Sequence, residues 1–236
     1  MKVLVIPDVH LKPWMFSRAA ELMKEGAAEQ AVCLMDIADD WGQERNLDLY
    51  EKTYDAAISF AKEFPETLWC YGNHDVCYLW NQRESGYSVY AQGVVYKKLY
   101  ELRQALTERT RLAFVQRIDN VLFSHGGLGE AFVRWYMPGS PYNDTDAVLE
   151  KINRFGAVEM WRDISPIWLR PQYRAVWMYK PEEFLQVVGH TPVKQIEWKE
   201  NLISCDVFST CSDGTPIGSR EFLLIDTENW EYQGKR

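Results

Sequence analysis

The sequence predicts an α/β fold with either one mixed sheet or two packed sheets. Three observations support this prediction. Short apolar runs typical of buried strands recur along the chain. Segments with helical spacing of apolar residues separate the early runs, whereas the last third of the chain is mostly strand-like. The chain has 236 residues, of which 47% are hydrophobic, so it can build one full core.

The predicted elements follow in chain order. The first is the continuous run VLVI at residues 3–6, which suits a strand covered on both faces. Pro7 has no backbone donor, so the strand should end there. Further strand-like runs lie at residues 31–35, 67–71, 112–115, 121–124, 186–189, 201–205 and 221–225. Two helices are predicted from apolar residues three or four apart, namely Leu47, Tyr50, Tyr54, Ala57 and Ala61, and then Val95, Leu99, Leu102 and Leu106.

Composition and charge exclude several classes of protein. The net charge of −8 argues against stable binding to a nucleic acid backbone. No apolar run is long enough to span a bilayer, so no membrane association is expected. The chain enters its first strand without a signal-peptide pattern, which predicts a cytoplasmic protein. The five cysteines form no CxxC pair and are expected to be reduced. The sequence indicates no oligomeric state.

Residues 131–180 differ from the rest of the chain. They hold more Lys and Arg than Asp and Glu, and they contain four tryptophans, Trp135, Trp161, Trp168 and Trp177. We predict a single domain over residues 1–236 in which 131–180 form an aromatic and arginine-rich cap. The aromatic rings could stack a nucleobase. The alternative is that they form a tryptophan-rich core beneath the cap.

Polar side chains follow most of the predicted strands. Asp8 and His10 follow the first, and residues two apart in an extended chain point the same way. The others are Asp36, Asp39 and Asp40 after the second, Gly72, Asn73, His74 and Asp75 after the third, His125 after the fifth and His190 after the sixth. Any single cluster is compatible with an ordinary turn. The chain has four histidines, however, and all four follow apolar runs, which favours one shared site at the strands' carboxyl ends.

The residue types in these clusters indicate a metal site. Oxygen and imidazole ligands without thiolates bind first-row divalent ions such as Mn²⁺, Fe²⁺ or Zn²⁺. There are too many candidate ligands for one ion. Two ions need a carboxylate between them, and Asp36 lies between the other clusters in the sequence.

The order of these motifs resembles the calcineurin-like metallophosphoesterase superfamily. The motifs are Asp-x-His, Asp-x-x-Asp, Gly-Asn-His-Asp, His-Gly-Gly and Gly-His-Thr-Pro, from Asp8 to His190. The segments SHGGL and GHTPV are similar to the bacterial and phage phosphoprotein phosphatase branch. The resemblance implies a four-layer α/β/β/α sandwich, in which two mixed sheets pack together between helices. It also implies a hydrolase that acts on phosphorylated protein or nucleotide.

The resemblance implies a role for each polar residue. One metal ion would be held by Asp8, His10 and Asp36, and a second by Asp36, Asn73, His125 and His190. A hydroxide bridging the two ions would attack phosphorus. His74 would protonate the leaving oxygen, oriented by Asp39. Manganese is the expected metal, with iron, zinc or magnesium as alternatives.

Two residues depart from the family pattern. Met35 stands where the family has glycine before the bridging aspartate, which should crowd the turn. Asp40 stands where the phosphatase branch has a phosphate-binding arginine, and a carboxylate there would repel phosphate unless it points away. The missing cation must therefore come from elsewhere. A Trp-Leu-Arg run similar to one in bacterial phosphatases favours Arg170, with Arg162 in reserve.

Three functions are compatible with these residues. The first is a two-metal phosphoesterase that hydrolyses phosphomonoesters. The second is a nucleotide-directed phosphohydrolase that acts on dinucleoside polyphosphates or cyclic nucleotides. The third is a metal-binding scaffold without catalysis, which should have lost ligands or the acid, and none of these is missing.

Overall fold

The computed structural model describes residues 1–107 and 112–236. The strands of this part are β1 (Lys2–Ile6), β2 (Gln30–Cys33), β3 (Leu68–Cys70), β4 (Leu112–Ala113), β5 (Val115–Ile118), β6 (Val121–Ser124), β7 (Leu185–Val188), β8 (Glu197–Lys199), β9 (Leu202–Ser204), β10 (Phe222–Asp226) and β11 (Tyr232–Lys235). The helices are α1 (Trp14–Lys24), α2 (Leu47–Glu63), α3 (Asn73–Trp80), α4 (Gln92–Ala105), α5 (Glu130–Tyr136), α6 (Thr145–Ile152) and α7 (Ala157–Met160), with a 3₁₀ turn at Ser140–Asn143.

The strands form two mixed sheets. The first has the order β11-β10-β1-β2-β3-β4, and its strands β1 to β4 run parallel. The second has the order β5-β6-β7-β9-β8, and its central strands β6, β7 and β9 run parallel. Antiparallel strands border the parallel ones in both sheets. Each sheet therefore has three or more parallel strands whose carboxyl ends share one edge.

The two sheets pack face to face between helices. Val3, Val5 and Val32 of the first sheet contact a layer from the second sheet that includes Phe123 and Val187. The alternate residues of β1 face the other way and pack with α1, α2 and α4. The outer face of the second sheet packs with α5 to α7. The predicted four-layer sandwich is confirmed, and burial on both faces explains why the inner strands are apolar throughout.

Most predicted elements correspond to observed ones within one or two residues. The run 112–115 is the exception, since it divides between β4 in one sheet and β5 in the other. The edge strands β8 and β11 were not predicted because every residue in them is exposed. Exposed polar edge strands carry no apolar alternation to detect.

Residues 131–180 contain α5, α6, α7 and long connecting segments. Trp161 and Trp168 are partly buried against the core outside the second sheet, as the core alternative proposed. Trp135 and Trp177 are exposed. The assignment of this region as a cap stays a prediction. Within the described residues, no helix has both the length and the apolar character needed to cross a membrane.

Candidate metal centre

The carboxyl ends of strands from both sheets meet at one place. Strands β1, β2 and β3 come from the first sheet, and β6, β7 and β9 from the second. The side chains that they deliver are Asp8, His10, Asp36, Asp39, Asn73, His74, His125, His190 and Asp206. Every residue predicted as a metal ligand, together with the predicted acid and its partner, is in this group.

Four of these side chains form a buried inner group, defined as Asp36, Asn73, His125 and His190. The Nε2 atom of His125 lies 2.9 Å from Asn73 Oδ1 and 3.1 Å from Asp36 Oδ2. It also lies 3.1 Å from His190 Nδ1. The inner group therefore places two oxygens and a second ring nitrogen within hydrogen-bonding distance of His125 Nε2.

The hydrogen bonds around the inner group leave its lone pairs facing inward. The Nδ1 atom of His125 lies 3.1 Å from the carbonyl oxygen of Leu34, so Nδ1 carries the proton and Nε2 is unprotonated in the neutral ring. Asn73 donates its Nδ2 proton to Glu84 Oε2 at 2.6 Å, which turns its Oδ1 toward His125. Several acceptors thus face each other inside the protein. Such an arrangement is costly unless a cation lies among them.

The outer group consists of Asp8, His10 and Asp36. His10 Nδ1 lies 2.9 Å from the backbone oxygen of Asp39, which leaves Nε2 as the free ring nitrogen, 3.9 Å from Asp36 Oδ2. Asp8 Oδ1 accepts a hydrogen bond from the backbone of His190 at 2.8 Å. Its Oδ2 is buried and has no hydrogen-bond partner among the described residues. Asp36 Oδ2 is therefore shared by both groups.

The two groups fit two divalent ions. Each contains at least three His or Asp side chains whose ligand atoms lie within 4.8 Å of one another. The donors are oxygens and imidazole nitrogens, which suit first-row divalent ions. The buried, unpartnered Oδ2 of Asp8 is the kind of atom that a bound cation would satisfy.

The backbone at the strand ends is folded tightly to bring these groups together. A Cβ atom on Gly72 would lie 1.9 Å from Asp36 Oδ1, and one on Gly189 would lie 2.0 Å from Asp8 Oδ2. Both positions therefore exclude any side chain. Residues with positive φ cluster in the same turns, namely His10, Leu11, Met35, Asp36, Asp39 and His190. Met35, at φ 58°, occupies the left-handed region that favours glycine.

The charges of the cluster conflict in the absence of cations. Burial and the nearby Asp206 raise the pKa of Asp8 well above its usual value. Burial would also raise the pKa of Asp36, but the charges of His125 and His74 outweigh it and lower that pKa. For His125, burial acts to lower the pKa, and Asp36 and Asp8 raise it overall to about 9. Divalent ions would favour the ionised carboxylates and remove this conflict.

His74 and Asp39 form a hydrogen-bonded pair beside the ligand groups. His74 Nδ1 lies 2.9 Å from Asp39 Oδ2. The other oxygen of Asp39 accepts from Tyr50 at 2.7 Å and from Tyr78 at 2.5 Å. Burial acts to lower the pKa of His74, but Asp36 and the hydrogen bond to Asp39 raise it to about 10. The ring is thus held in one orientation, and in the metal-free protein its protonated form is favoured.

Three carboxylates near the site were not predicted as functional. Asp75 accepts hydrogen bonds from the backbone of Asp36, Ile37 and Gly72, so it joins the turns after β2 and β3. Glu84 binds Asn73, as described above, but its loop shows no sequence pattern. Asp206 directly follows the strand-like run 201–205, and this is the same signal that identified Asp8 and Asp36.

Asp40 is neutralised by neighbouring residues. Its Oδ2 lies 3.0 Å from Lys12 Nζ, and its Oδ1 accepts from Thr210 Oγ1 at 2.9 Å. Oδ1 also accepts from the backbone of Trp41 at 2.9 Å. Because its charge is paired, Asp40 repels an incoming phosphate less than a free carboxylate in that position would.

The two candidate arginines lie in different places. Arg170 Nη1 donates to the carbonyl oxygen of His190 at 2.7 Å, and the side chain lines the cavity beside the metal-ligand groups. Arg162 is exposed and donates to the carbonyl oxygen of Val158 at 3.1 Å. The structure thus brings Arg170 to the site and leaves Arg162 outside it.

The cavity beside the ligand groups encloses about 310 Å³. His10, Asp36, Asn73, His74 and His190 line its inner end. Its rim includes Trp41, Glu44, Gly86, Pro192, Thr210 and Ile217. The four tryptophans of residues 131–180 are not among the described residues that line it. This cavity is the place where a substrate would reach both ligand groups.

A family model for calcineurin-like phosphoesterases matches residues 1–210 of the chain. No curated protein sequence matches the chain significantly.

Solved structures with a similar fold come from bacteria and archaea. A cold-active protein-tyrosine phosphatase from a psychrophilic Shewanella species is 17% identical, with a TM-score of 0.59 over 100% of this chain and 80% of that chain. A hypothetical protein from Pyrococcus horikoshii OT3 is 12% identical, with a TM-score of 0.50 over 99% of this chain and 86% of that chain. A novel archaeal phosphodiesterase is 14% identical, with a TM-score of 0.44 over 99% of this chain and 98% of that chain.

Proposed function

The chain belongs to the calcineurin-like phosphoesterase family and is a metal-dependent hydrolase of phosphoric esters. From this premise, we propose that it hydrolyses phosphomonoesters with two divalent ions held by the inner and outer groups. The observation that carries this proposal is Asp36, whose Oδ2 lies 3.1 Å from His125 Nε2 and 3.9 Å from His10 Nε2. A single oxygen between two imidazoles is suited to join two ions.

The ligand assignment follows from the free atoms of each group. Asp8, His10 and Asp36 would hold one ion, and Asp36, Asn73, His125 and His190 the other. When bound, such a pair of ions lowers the pKa of water and neutralises charge on the phosphoryl group. Manganese suits this set of oxygen and nitrogen donors, as do iron and zinc.

His74 would supply the proton that the leaving oxygen needs. Its Nδ1 is held by Asp39, so the proton on Nε2 is the one free for donation. The two tyrosines on Asp39 fix that carboxylate, and with it the direction of the imidazole. General acid catalysis of this kind contributes about 10²–10⁴-fold to rate.

Arg170 favours a phosphomonoester over a diester. A monoester has three non-ester oxygens, and two ions can hold two of them, so the third needs a separate donor. Arg170 is the sole lysine or arginine among the described residues that line the cavity. Only its Nη1 has hydrogen-bond partners in the described chain, which leaves other guanidinium donors free. A diester has two non-ester oxygens and does not need this third donor.

A test of the proposal compares a monoester with a diester. Protein loaded with Mn²⁺ should hydrolyse p-nitrophenyl phosphate with a higher kcat/KM than bis(p-nitrophenyl) phosphate, and chelation should abolish both activities. Faster hydrolysis of the diester, or of cyclic nucleotides and dinucleoside polyphosphates, would overturn the monoester assignment. Metal analysis of the purified protein identifies the bound ion. If it finds an ion other than manganese, the assignment of manganese is wrong.

A further inference from the structure

One exposed tryptophan stands at the rim of the catalytic cavity. Trp41 lines this cavity, and 55% of its surface is exposed. Its indole N–H donates to the backbone oxygen of Thr210 at 3.0 Å. Because Trp41 lines the cavity and is held by this hydrogen bond, its exposed ring faces whatever molecule occupies the cavity.

The residues beside Trp41 hold it in position. Asp40 Oδ1 accepts from the backbone N–H of Trp41 and from the hydroxyl of Thr210, both at 2.9 Å. Lys12, which lies 3.0 Å from Asp40 Oδ2, balances the charge of that carboxylate. Asp40 thus ties the chain at Trp41 to the same loop that accepts the indole N–H. The ring is oriented before any ligand arrives, which reduces the entropy lost on binding.

Besides the carboxylates of Asp40 and Glu44, the rim of the cavity carries apolar or uncharged residues. Half-buried Pro192 and Ile217 line it together with Trp41, and Gly86 leaves space beside His74. A volume of about 310 Å³ is at the small end of the range for ligand pockets. A cavity of this size suits a phosphate ester whose alcohol carries one compact ring.

We propose that Trp41 is a leaving-group subsite that selects phosphate esters whose alcohol carries a planar aromatic ring. This inference rests on the proposed phosphomonoesterase function. The ring would stack on the indole while the phosphoryl group occupies the metal end of the cavity. The shared chemistry is a flat aromatic face, which either a phenol or a nucleobase provides.

The alternative role for Trp41 is to hold the Thr210 loop through its indole N–H. That role would affect all substrates equally. Selection by stacking instead predicts a loss confined to aromatic substrates, so the two roles can be separated by comparing substrates within each variant. Intrinsic differences in leaving-group reactivity cancel when wild type and variant are compared.

The first experiment measures kcat/KM of the Mn²⁺-loaded protein for three monoesters, a phosphotyrosine peptide, a nucleoside 5′-monophosphate and a phosphoserine peptide. Trp41→Ala should lower kcat/KM about tenfold or more for at least one of the two aromatic esters. The value for the phosphoserine peptide should stay within about twofold. A loss for one aromatic ester alone identifies phenol or nucleobase as the preferred ring. Trp41→Phe, which keeps a ring but not the indole N–H, should recover most of the loss.

The matched control is Trp198→Ala. Trp198 is 38% exposed, and its indole N–H also donates to a backbone oxygen, that of Glu200. It lies on β8 at the edge of the second sheet and does not line the cavity. This variant should behave as wild type with all three esters. An equal loss for all esters in Trp41→Ala would overturn the inference in favour of a structural role, and unchanged kinetics would overturn it outright.

A second measurement does not depend on turnover. Calorimetric titration of the Mn²⁺-loaded protein should show tighter binding of phenylphosphonate than of methylphosphonate, and Trp41→Ala should remove the difference. If this preference is present but no monoester is hydrolysed, the subsite stands and the proposed function fails. If monoesters are hydrolysed and the preference is absent, the proposed function stands and the subsite fails.

Discussion

The inner and outer ligand groups share Asp36 but differ in construction. The inner group takes Asn73 from the first sheet and His125 and His190 from the second, so it closes the gap between the two sheets. The outer group comes from the first sheet alone, and His10 is partly exposed on the cavity wall. Four buried ligands should hold an ion more tightly than three ligands of which one, His10, is partly exposed. We therefore expect the inner ion to be retained and the outer ion to exchange with solvent.

Loss of Asp36, the ligand that both groups share, should have the largest effect on metal content and turnover. In Asp36→Asn, one anionic oxygen between the two sites becomes a neutral amide, so at least one ion should be lost and turnover should fall toward that of chelated protein. Metal analysis and kinetics measure both outcomes. The control is Asp146→Asn, because Asp146 is an exposed residue of α6 that pairs with Arg117. Two tightly bound ions with full turnover in Asp36→Asn would show that neither group depends on this carboxylate.

His74 belongs to neither group, so its removal should separate chemistry from metal binding. His74→Ala should lower kcat by about 10²–10⁴-fold while both ions remain. Phenyl phosphate, which has a poor leaving group, should be affected more than p-nitrophenyl phosphate. Equal losses with both substrates, or loss of metal, would instead assign His74 a ligand or structural role.

Arg170 contacts the inner group only through the backbone oxygen of His190, so its removal should leave the metals in place. Loss of a charge-assisted hydrogen bond worth about 1.5–3 kcal/mol should lower kcat/KM of Arg170→Ala roughly ten- to a hundredfold. Inorganic phosphate should inhibit the variant more weakly. Arg162→Ala is the matched control and should resemble wild type. If the effects of the two variants are reversed, the phosphate contact belongs to Arg162.

Substitution of Glu84 tests whether metal binding by the inner group depends on the hydrogen bond that Glu84 accepts from Asn73. Glu84→Ala removes the acceptor that holds Asn73 Nδ2, so the amide loses its fixed orientation. Outer-shell partners of this kind typically change metal affinity by about 10–100-fold. Titration with Mn²⁺ should show weaker binding of the tighter ion in Glu84→Ala, partial recovery in Glu84→Gln and no change in the surface variant Glu51→Ala. A change confined to the weaker ion would mean that the order of affinities is the reverse of the one expected here.

The smallest expected effect concerns the thermal stability of the metal-free protein and its dependence on pH. The folded-state pKa of His74, about 10, lies above its usual 6.5, so the protonated form stabilises the fold. That contribution is complete below pH 6.5 and is lost as the pH rises through about 10. The raised pKa of His125, about 9, acts in the same direction. The Tm of chelated protein should therefore fall between pH 7 and 10, by roughly 2–4 °C for each kcal/mol lost.

The control for this prediction is the metal-loaded protein, whose Tm should change less over the same range because bound cations replace protons as partners of the carboxylates. His74→Ala should also flatten the curve of the chelated protein. A Tm that rises between pH 7 and 10 in chelated wild type would contradict the assigned direction of these pKa shifts.

The strands and the positions of the ligand clusters could be predicted because both are local in origin, whereas the packing of two sheets between helices was implied by the family resemblance. A strand buried on both faces is apolar throughout, and the polar residues that follow it stand out. Parallel strands place their carboxyl ends on one edge, so Asp8, Asp36 and Asn73 were expected together. Asp206 carries the same signal after the run 201–205 and could have been found in this way.

The contacts between distant parts of the chain were decided only by the tertiary structure. Asp40 meets Thr210, 170 residues away in sequence, and that contact neutralises a carboxylate in a position expected to repel phosphate and fixes Trp41. The hydrogen bond from Asn73 to Glu84 sets which amide atom faces the inner site. The chain by itself determined which residues end each strand, because strand burial and turn formation depend on near neighbours. The partners of those residues depend on how two sheets and their loops pack, and no local pattern in the sequence encodes that packing.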